Sequence, residues 1–337
     1  MSIINKLKKL SPTHRMSENL YQTMCENQNG IMQEFKNLSK KIDFLFWTSQ
    51  NDANETDLET RNRVFMSMPK ARGKLRMTQI GSFTILKRIK EICDNNNIQF
   101  FIQDGTLLGS VRHNGYIPWD DDIDIGMLTD EFNKFVSAVS NDELLTVRFY
   151  YNVFKQVIIK VKYTFSDFFY VDIFLWDRFD ADETNLQERV NSIRKICKNY
   201  NDYMGNEIAV SGFCAGTLSK SDTELDKKHL QIMKKLTESI PYYGKGKYIC
   251  GSVYNPLALW DTMAPKDTDA CFPLYDGLVF EDSEFKSFKN YPDVLDEQYG
   301  DIYEFPHKIG GHRDSGFDIE KEFAKLIEFK IIEKEDM

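Results

Sequence analysis

The segment QDGTLLGSVRHNGYIPWDDDIDIGM, residues 103–127, decides the fold of this chain. Its second half alternates carboxylates with apolar residues, which is the period of two that a β-strand shows. Asp122 and Asp124 therefore share one face of the strand, whereas Ile123 and Ile125 point toward a core. Two carboxylates on one face repel each other unless a cation lies between them. The pair predicts a site for a hard divalent cation, Mg²⁺ or Mn²⁺, which also takes phosphate oxygens.

The first half of the segment predicts a turn that holds phosphate. Gly105 and the pair Gly109-Ser110 bracket a short apolar stretch that can open a helix, and eleven residues separate Ser110 from Asp122. Backbone N–H groups at a helix start, together with a serine hydroxyl, bind phosphate oxygens. A Gly-Ser pair alone is a weak signal, and its value comes from the carboxylates that follow.

The residues on either side of the segment predict further helices and strands. A helical spacing of apolar residues ends at Asp94, and helical patterns return at 183–202 and 222–240. Apolar, β-branched and aromatic runs predict strands at 98–102, 157–163 and 168–176, and Asp172 is the single acidic residue of the last one. Strands mixed with helices indicate an α/β or α+β core. Asp172 is either a third carboxylate of the site or the partner of a basic residue.

Composition narrows the classes of function. The chain has 337 residues, 42% of them hydrophobic, and a formal net charge of −9. The acidic balance argues against nucleic acid as a partner. No apolar run is long enough for a transmembrane segment, and six scattered cysteines show no zinc spacing, so we expect a cytoplasmic protein with free thiols. Peripheral contact with the inner face of the membrane stays open, because residues 61–76 are basic.

The N-terminal region, residues 1–50, predicts an amphipathic helix. Apolar residues of 21–45 recur at alternating steps of three and four, which is typical of a coiled-coil seam. Two interpretations stay open: a helix that packs on its own domain, and a helix that forms a homodimer through residues 20–46. Residues 51–76 have the composition of a polar and then basic linker. A catalytic domain is expected over 77–310, and a tail or helix over 311–337.

Three stretches of sequence together resemble the LicD family of the nucleotidyltransferase-fold superfamily, which also includes the fukutins. They are DGTLLGSVRHNG (104–115), IPWDDDIDIGM (117–127) and YVDIF (170–174). The C-terminal residues Tyr291–Asp301 resemble the usual ending of the family, a short helix that closes on Tyr-Gly-Asp. The resemblance covers about residues 78–307. It implies a nucleotidyltransferase-like mixed β-sheet flanked by helices, with the N-terminal helix outside the matching part.

The resemblance also implies an activity and a set of residues. The family's metal-binding and catalytic carboxylates fall on Asp122, Asp124 and Asp172, and its nucleotide-contacting pair on Gly109 and Ser110. The implied enzyme transfers phosphocholine from CDP-choline to a hydroxyl of a surface glycan (lipopolysaccharide, capsule or teichoic acid) and releases CMP. Further candidates for substrate contact are Asp104, Arg112, Trp119 and Asp121. For Arg112 and for His113 beside it, a structural role is an equal or better interpretation.

Two alternatives remain at the level of sequence. The same carboxylates could transfer glycerol phosphate, ribitol phosphate or phosphoethanolamine, or a nucleotidyl group with release of pyrophosphate. The chain could also be a dimeric scaffold in glycan assembly whose site is inactive. The sequence shows neither the head group of the donor nor the identity of the acceptor.

Overall fold

A computed structural model describes residues 12–151, 157–182, 184–211, 215–217, 219, 224, 227, 231, 246–251, 265–305 and 316–333. The chain divides by its internal contacts into two units, residues 1–64 and 65–337. The predicted helix at 222–240 falls almost entirely outside the described residues, as do parts of the expected C-terminal tail.

The first unit contains helix α1 (Pro12–Gln50), in the region where the sequence predicts an amphipathic helix. Its predicted seam lies open: five seam residues each expose more than half of their surface, namely Ile31, Phe35, Leu38, Ile42 and Leu45. The aromatic ring of Trp47 is covered by the guanidinium of Arg61, 5.2 Å from the ring centroid.

Helix α2 (Asp57–Met66) lies inside the stretch that composition describes as a linker. A capping box explains why it forms there. The side chain of Glu59 accepts hydrogen bonds from the backbone N–H and the hydroxyl of Thr56, and the backbone N–H of Glu59 donates to the Thr56 hydroxyl. This reciprocal pairing satisfies N–H groups that a helix start otherwise leaves without partners.

The second unit is a mixed sheet flanked by helices. Its described helices are α3 (Gly73–Asn96), α4 (Asp104–His113), α5 (Thr129–Val139), α6 (Leu186–Ser211), α7 (Thr268–Cys271), α8 (Tyr291–Tyr299) and α9 (Ile319–Glu328). Its described strands are β1 (Phe101–Ile102), β2 (Asp124–Leu128), β3 (Leu145–Tyr151), β4 (Val157–Tyr163), β5 (Tyr170–Phe179), β6 (Ala215–Thr217), β7 (Tyr248–Gly251), β8 (Lys266–Asp267), β9 (Tyr275–Phe280) and β10 (Ser283–Ser287).

The strands β1 to β8 form one sheet in the order β1-β2-β5-β4-β3-β6, and β7 pairs with β5 and β8. β2 and β5 are parallel, whereas β4 and β7 run antiparallel to β5. Strands β9 and β10 form a separate antiparallel hairpin. This arrangement of helices and a mixed sheet confirms the predicted α/β fold class. Among the described residues, no helix combines the length and the apolar character that crossing a bilayer requires.

The two faces of the sheet differ in polarity. One face carries Ile125, Ile159 and Ile173, which are fully buried and belong to the main hydrophobic core. The other face carries polar groups at the register positions in between, among them Asp124 and Asp172. Because successive residues of a strand point to opposite faces, one set of apolar residues packs the core while the alternate set is free for chemistry.

Several predicted elements agree with the structure and others shift. Strand β4 has the predicted bounds, and α3 ends at Asn96 with Asn97 in the left-handed conformation, where the polar stop predicts an end. The strand expected over 98–102 is limited to Phe101–Ile102. Asp122 precedes β2 instead of lying in it, because the chain reaches the sheet only at Asp124.

Candidate active site

The structure brings the three predicted carboxylates together. Asp124 and Asp172 are direct register partners on the parallel strands β2 and β5. One carboxylate oxygen from each of Asp122, Asp124 and Asp172 lies within 4.8 Å of the others. A set made only of carboxylate oxygens suits a hard divalent cation such as Mg²⁺ or Mn²⁺. The geometry therefore fits the predicted metal site, although the metal itself stays a prediction.

A second group of carboxylates shares Asp122 with the first. Asp120, Asp121 and Asp122 also offer oxygens within 4.8 Å of one another. The carboxylate of Asp120 lies over the first turn of α4, where a Cβ atom on Gly105 would come within 2.8 Å of Asp120 Oδ2. Glycine at 105 thus permits the close approach of Asp120 to the helix.

Burial and repulsion by neighbouring carboxylates oppose the ionised forms of Asp124 and Asp120. Burial, followed by the charges of Asp122 and Asp104, raises the pKa of Asp124 well above its usual value. Burial and the neighbouring Asp122 raise the pKa of Asp120 to about 8. A carboxylate cluster of this kind is stable in the ionised form when positive charge is close to it.

One source of positive charge is present in the chain. Lys160 on β4 is the register partner of Asp172 on β5. Its ammonium lies 2.8 Å from Asp172 Oδ1 and donates to Oδ2 over 3.0 Å. Both alternatives considered for Asp172 are therefore present in one geometry, because the residue belongs to the carboxylate group and also pairs with a basic residue. Sequence reasoning did not single out Lys160, although a lysine inside the apolar run VIIKVKY was the available signal.

Asp104 lies at the start of α4 in the left-handed region, with a φ of 48°. Its carboxylate accepts hydrogen bonds from the side-chain amides of Gln103 and Gln298 over 2.7 and 2.8 Å. Burial raises the pKa of Asp104. A non-glycine residue at positive φ is held there by its surroundings, and such strain is common at functional sites. The hydrogen bond from Gln298 was not predicted, because Gln298 is remote from Asp104 in the sequence.

Short contacts fix the loop that carries Asp122 against the helix that precedes it. The backbone N–H of Asp124 donates to Thr106 Oγ1 over 2.8 Å. The N–H of Gln103 donates to the carbonyl of Asp124, and the N–H of Asp172 donates to the carbonyl of Ile123. The helix start, β2 and β5 are thereby held in one arrangement around the carboxylates.

The Gly109-Ser110 pair differs from the predicted phosphate-binding turn. Both residues lie inside α4. The buried hydroxyl of Ser110 donates to the carbonyl of Val279 over 2.7 Å, and a Cβ atom on Gly109 would lie 2.4 Å from the carbonyl oxygen of Gly115. The pair therefore packs α4 against the returning chain and against β9. The physical reason is that the helix starts at Asp104, so its N-terminal turn is five residues earlier than Gly109.

Arg112 and His113 form a buried structural pair at the end of α4. Nε of Arg112 donates to Nε2 of His113, and a second guanidinium nitrogen donates to the carbonyl of Ile302 over 2.7 Å. Nδ1 of His113 therefore donates to the carbonyl of Phe65, at 2.9 Å. Burial lowers the pKa of His113 to about 4 and that of Arg112 to about 10. His113 is thus neutral at pH 7, which fits the structural interpretation.

The remaining candidates lie close to this pair or within the acidic run. Trp119 is half-buried, and its ring lies 6.3 Å from that of His113 and 5.9 Å from the guanidinium of Arg112. Asp121 is buried, at 5% exposure. The roles of both in substrate contact stay predictions.

Tyr299, at the end of α8, is a site residue that the sequence marked only as part of the Tyr-Gly-Asp ending. The residue is 42% exposed. Burial of its phenol end and the charges of Asp104 and Asp124 raise the pKa of Tyr299. A neutral phenol beside the carboxylates can donate a hydrogen bond to a bound substrate.

Comparison with known proteins agrees with this site. Residues 97–201 match the family model described as LicD/FKTN/FKRP, nucleotidyltransferase domain. The match includes Asp122, Asp124, Asp172 and Lys160. The resemblance to the LicD family that the sequence predicts is therefore confirmed over this part of the chain.

Individual relatives match shorter parts. Lipopolysaccharide cholinephosphotransferase LicD of Haemophilus influenzae is 44% identical over 64 residues, which are 19% of this chain and 24% of that protein. An uncharacterized protein of Rickettsia prowazekii is 34% identical over 104 residues, 29% of this chain and 39% of its own length. One of Rickettsia typhi is 39% identical over 70 residues, 21% and 23% of the two chains. The matches thus span well under half of each relative.

Proposed function

We propose that this chain, whose residues 97–201 carry a LicD-type nucleotidyltransferase domain, is a metal-dependent phosphotransferase that modifies a surface glycan. The specific reaction proposed moves phosphocholine from CDP-choline to a glycan hydroxyl and releases CMP. One observation carries the proposal: oxygens of Asp122, Asp124 and Asp172 lie within 4.8 Å of one another inside the matched region. The cholinephosphotransferase among the relatives supports choline as the cargo.

Asp122, Asp124 and Asp172 would hold the metal, and Asp120 and Asp121 extend the group of possible ligands. A bound Mg²⁺ or Mn²⁺ supplies charge neutralisation for the diphosphate and for the leaving CMP. Displacement at phosphorus needs little covalent help from a protein, so alignment and electrostatic stabilisation dominate catalysis.

The chain's own residues position the reacting groups. Lys160 contacts both oxygens of the Asp172 carboxylate, which limits its rotation beside Asp124. Asp172 then orients the acceptor hydroxyl by accepting its hydrogen bond. The hydrogen bond from the backbone N–H of Asp124 to Thr106 Oγ1 holds the first turn of α4 against this group, and Gln298 on α8 donates to Asp104 in the same turn.

The test is release of CMP from CDP-choline by the full chain, with Mg²⁺ or with EDTA, and with candidate glycan acceptors. CDP-glycerol, CDP-ribitol, CDP-ethanolamine and a nucleoside triphosphate serve as competing donors, and mass spectrometry identifies the product. Release of CMP that requires Mg²⁺ and is fastest with CDP-choline supports the proposal. Release of pyrophosphate from the triphosphate, without CMP from any CDP-linked donor, contradicts it.

Two variants test whether CMP release depends on the carboxylate site and not on an unrelated surface charge. Asp124→Asn removes one predicted ligand with little change in shape, and the rate of CMP release should fall by roughly 10²-fold or more. Asp130→Asn removes one carboxylate from the first turn of α5, outside the group, and serves as the matched control. Equal CMP release by the Asp124→Asn protein and the wild type would show that Asp124 is not a metal ligand, and no CMP release by the wild type with any donor and acceptor would favour the scaffold interpretation.

A further inference from the structure

A line of charged residues continues from the carboxylates across the polar face of the sheet. Asp124 pairs in register with Asp172, Asp172 with Lys160, and Lys160 with Arg148 on β3. Register partners on neighbouring strands point to the same face. Lys162 follows Lys160 at a spacing of two on β4 and shares this face. We call Arg148, Lys160 and Lys162 the basic row.

The side chains of the basic row are largely buried and are held by aromatic rings. The side chains of Lys160 and Lys162 are 17% and 7% exposed, and that of Arg148 is 32% exposed. The ammonium of Lys160 lies 3.4 Å from the ring centroid of Tyr170, and that of Lys162 lies 4.9 Å from that of Tyr150. Cations held this way lose part of their hydration and are oriented before a ligand arrives.

Two polar atoms of this surface lack a partner. Within the described part of the chain, Nε of Arg148 and the hydroxyl of Tyr150 are inaccessible to solvent and make no hydrogen bond. The two residues share a face of β3, and the guanidinium lies 5.5 Å from the Tyr150 ring. Buried polar atoms are nearly always hydrogen-bonded, so these two donors can pair with the oxygen acceptors of a ligand when the Arg148 side chain, which is 32% exposed, turns toward it.

The charges of the row are incompletely balanced. Asp172 contacts Lys160, whereas Asp167 contacts both Arg148 at 3.4 Å and Lys162 at 3.5 Å. Among the described residues, the three cations of the row therefore share two carboxylates, and one of these, Asp172, is also a proposed metal ligand. Asp167 is 65% exposed, so its ion pairs are screened by water and are replaceable.

We propose that the basic row binds an anionic group, a phosphate or a carboxylate, on the acceptor glycan. The assignment of this anion to the acceptor rests on the function proposed above, whereas the anion site itself does not. Planar guanidinium groups and clustered ammonium groups match the oxygens of such anions. The acceptor of this chain is therefore an acidic glycan.

Position assigns the anion to the acceptor and not to the donor. Neighbouring strands lie about 4.8 Å apart, so Arg148 is roughly 10 Å from Asp172 and roughly 14 Å from Asp124 across the sheet. A diphosphate centred on the carboxylates lies beside Asp172 and Lys160, whereas Arg148 stands two strands away from Asp172 along the sheet. A sugar whose hydroxyl lies at Asp172 can direct a charged substituent toward Arg148, because its ring covers about one strand spacing and the substituent extends further along the sheet.

The test measures binding of inorganic phosphate to the full chain by calorimetry, in EDTA and without donor. Wild-type protein should bind phosphate, and Arg148→Gln should weaken binding about tenfold, the typical loss of a charge-assisted hydrogen bond. Arg148→Lys keeps the charge and should retain part of the affinity. Lys134→Gln removes an exposed charge from α5 and is the matched control that should bind as the wild type does. Thermal unfolding confirms that each variant is folded.

A second titration, with Mg²⁺ and CDP-choline present, distinguishes the two sources of anion. Phosphate should still bind when the donor is saturating, and glucose 6-phosphate should bind where glucose does not. Three results would overturn the proposal: no phosphate binding by the wild type, equal binding by Arg148→Gln, or displacement of phosphate by CDP-choline. If CDP-choline itself does not bind, the proposed function fails, while the phosphate titration in EDTA still tests the basic row.

Discussion

Lys160 and Asp172 face each other across β4 and β5, with the ammonium 2.8 Å from one carboxylate oxygen and 3.0 Å from the other. The pair joins the two halves of the polar face. Asp172 belongs to the carboxylate group on one side, and Lys160 begins the basic row on the other. Asp172 is only 8% exposed, so Lys160 provides a contact for its carboxylate where little water reaches it.

Replacing Lys160 should make stability depend on metal. Lys160→Gln leaves Asp172 buried without its counter-charge, and breaking such a pair costs about 3 kcal/mol. The unfolding temperature in EDTA should fall by several degrees, and Mg²⁺ should restore more of it than it adds to the wild type. Differential scanning fluorimetry with and without Mg²⁺ measures both shifts, with Lys134→Gln as the control. The same Mg²⁺ shift in variant and wild type would argue against a metal at Asp172.

Gly105 should be required for activity more than for folding. Gly105→Ala places a Cβ atom 2.8 Å from Asp120 Oδ2, so the carboxylate must rotate away from the group. Displacement of about 1 Å at a reacting centre can reduce the rate by roughly 10²-fold. Release of CMP measures the loss. Gly30→Ala on α1, where nothing lies within 4 Å, is the control exchange. Full activity of Gly105→Ala would show that the position of Asp120 does not matter.

His113 should contribute to acid unfolding. Its pKa is lowered by burial from 6.5 to about 4, so the folded protein binds fewer protons than the unfolded chain between these values. Stability therefore falls as pH decreases from about 6.5 toward 4, by up to about 3 kcal/mol. Urea unfolding at pH 7.5 and at pH 4.5 measures this loss. His113→Gln, which cannot titrate, should lose less stability between the two pH values, and an identical loss would contradict the assignment.

The sequence predicted the carboxylates better than their surroundings, for a physical reason. The alternation of carboxylates with apolar residues predicted that Asp122 and Asp124 lie together, although Asp122 precedes β2, and Asp172 is a single acidic residue in an apolar run. Lys160 was missed because its effect depends on strand register, which local patterns do not encode. The amide of Gln298 reaches Asp104 only through tertiary packing.

The same limit explains why Gly109 and Ser110 lie inside a helix and not at the predicted phosphate-binding turn. Glycine before serine predicts a turn, but α4 begins earlier, at Asp104. Gly109 packs closely on Gly115, and Ser110 donates a hydrogen bond to Val279. The helix at 57–66 was missed for a different reason. Its capping box, Thr56 to Glu59, is a sequence signal for a helix start, but the polar composition around it favoured the linker interpretation.

The open seam of α1 should form a homodimer. Leu38 and Ile42 are 53% and 56% exposed, and they occupy neighbouring d and a positions of the heptad pattern. An exposed apolar strip of this length is unusual unless it binds a partner, and the period of 3.5 residues favours a second copy of the same helix. The variant Leu38→Asp should therefore sediment as a monomer in analytical ultracentrifugation of the full chain.

The matched control for the dimer is Phe44→Asp, which introduces the same charge on the same helix. Phe44 is 70% exposed but falls at an outer c position, away from the seam. This variant should keep the dimer, because loss of helix propensity and of apolar surface is similar in both proteins while only the seam differs. A monomeric wild type, or equal sedimentation of the seam variant and the wild type, would refute the dimer. Dissociation by Phe44→Asp as well would assign the contact to another face of α1.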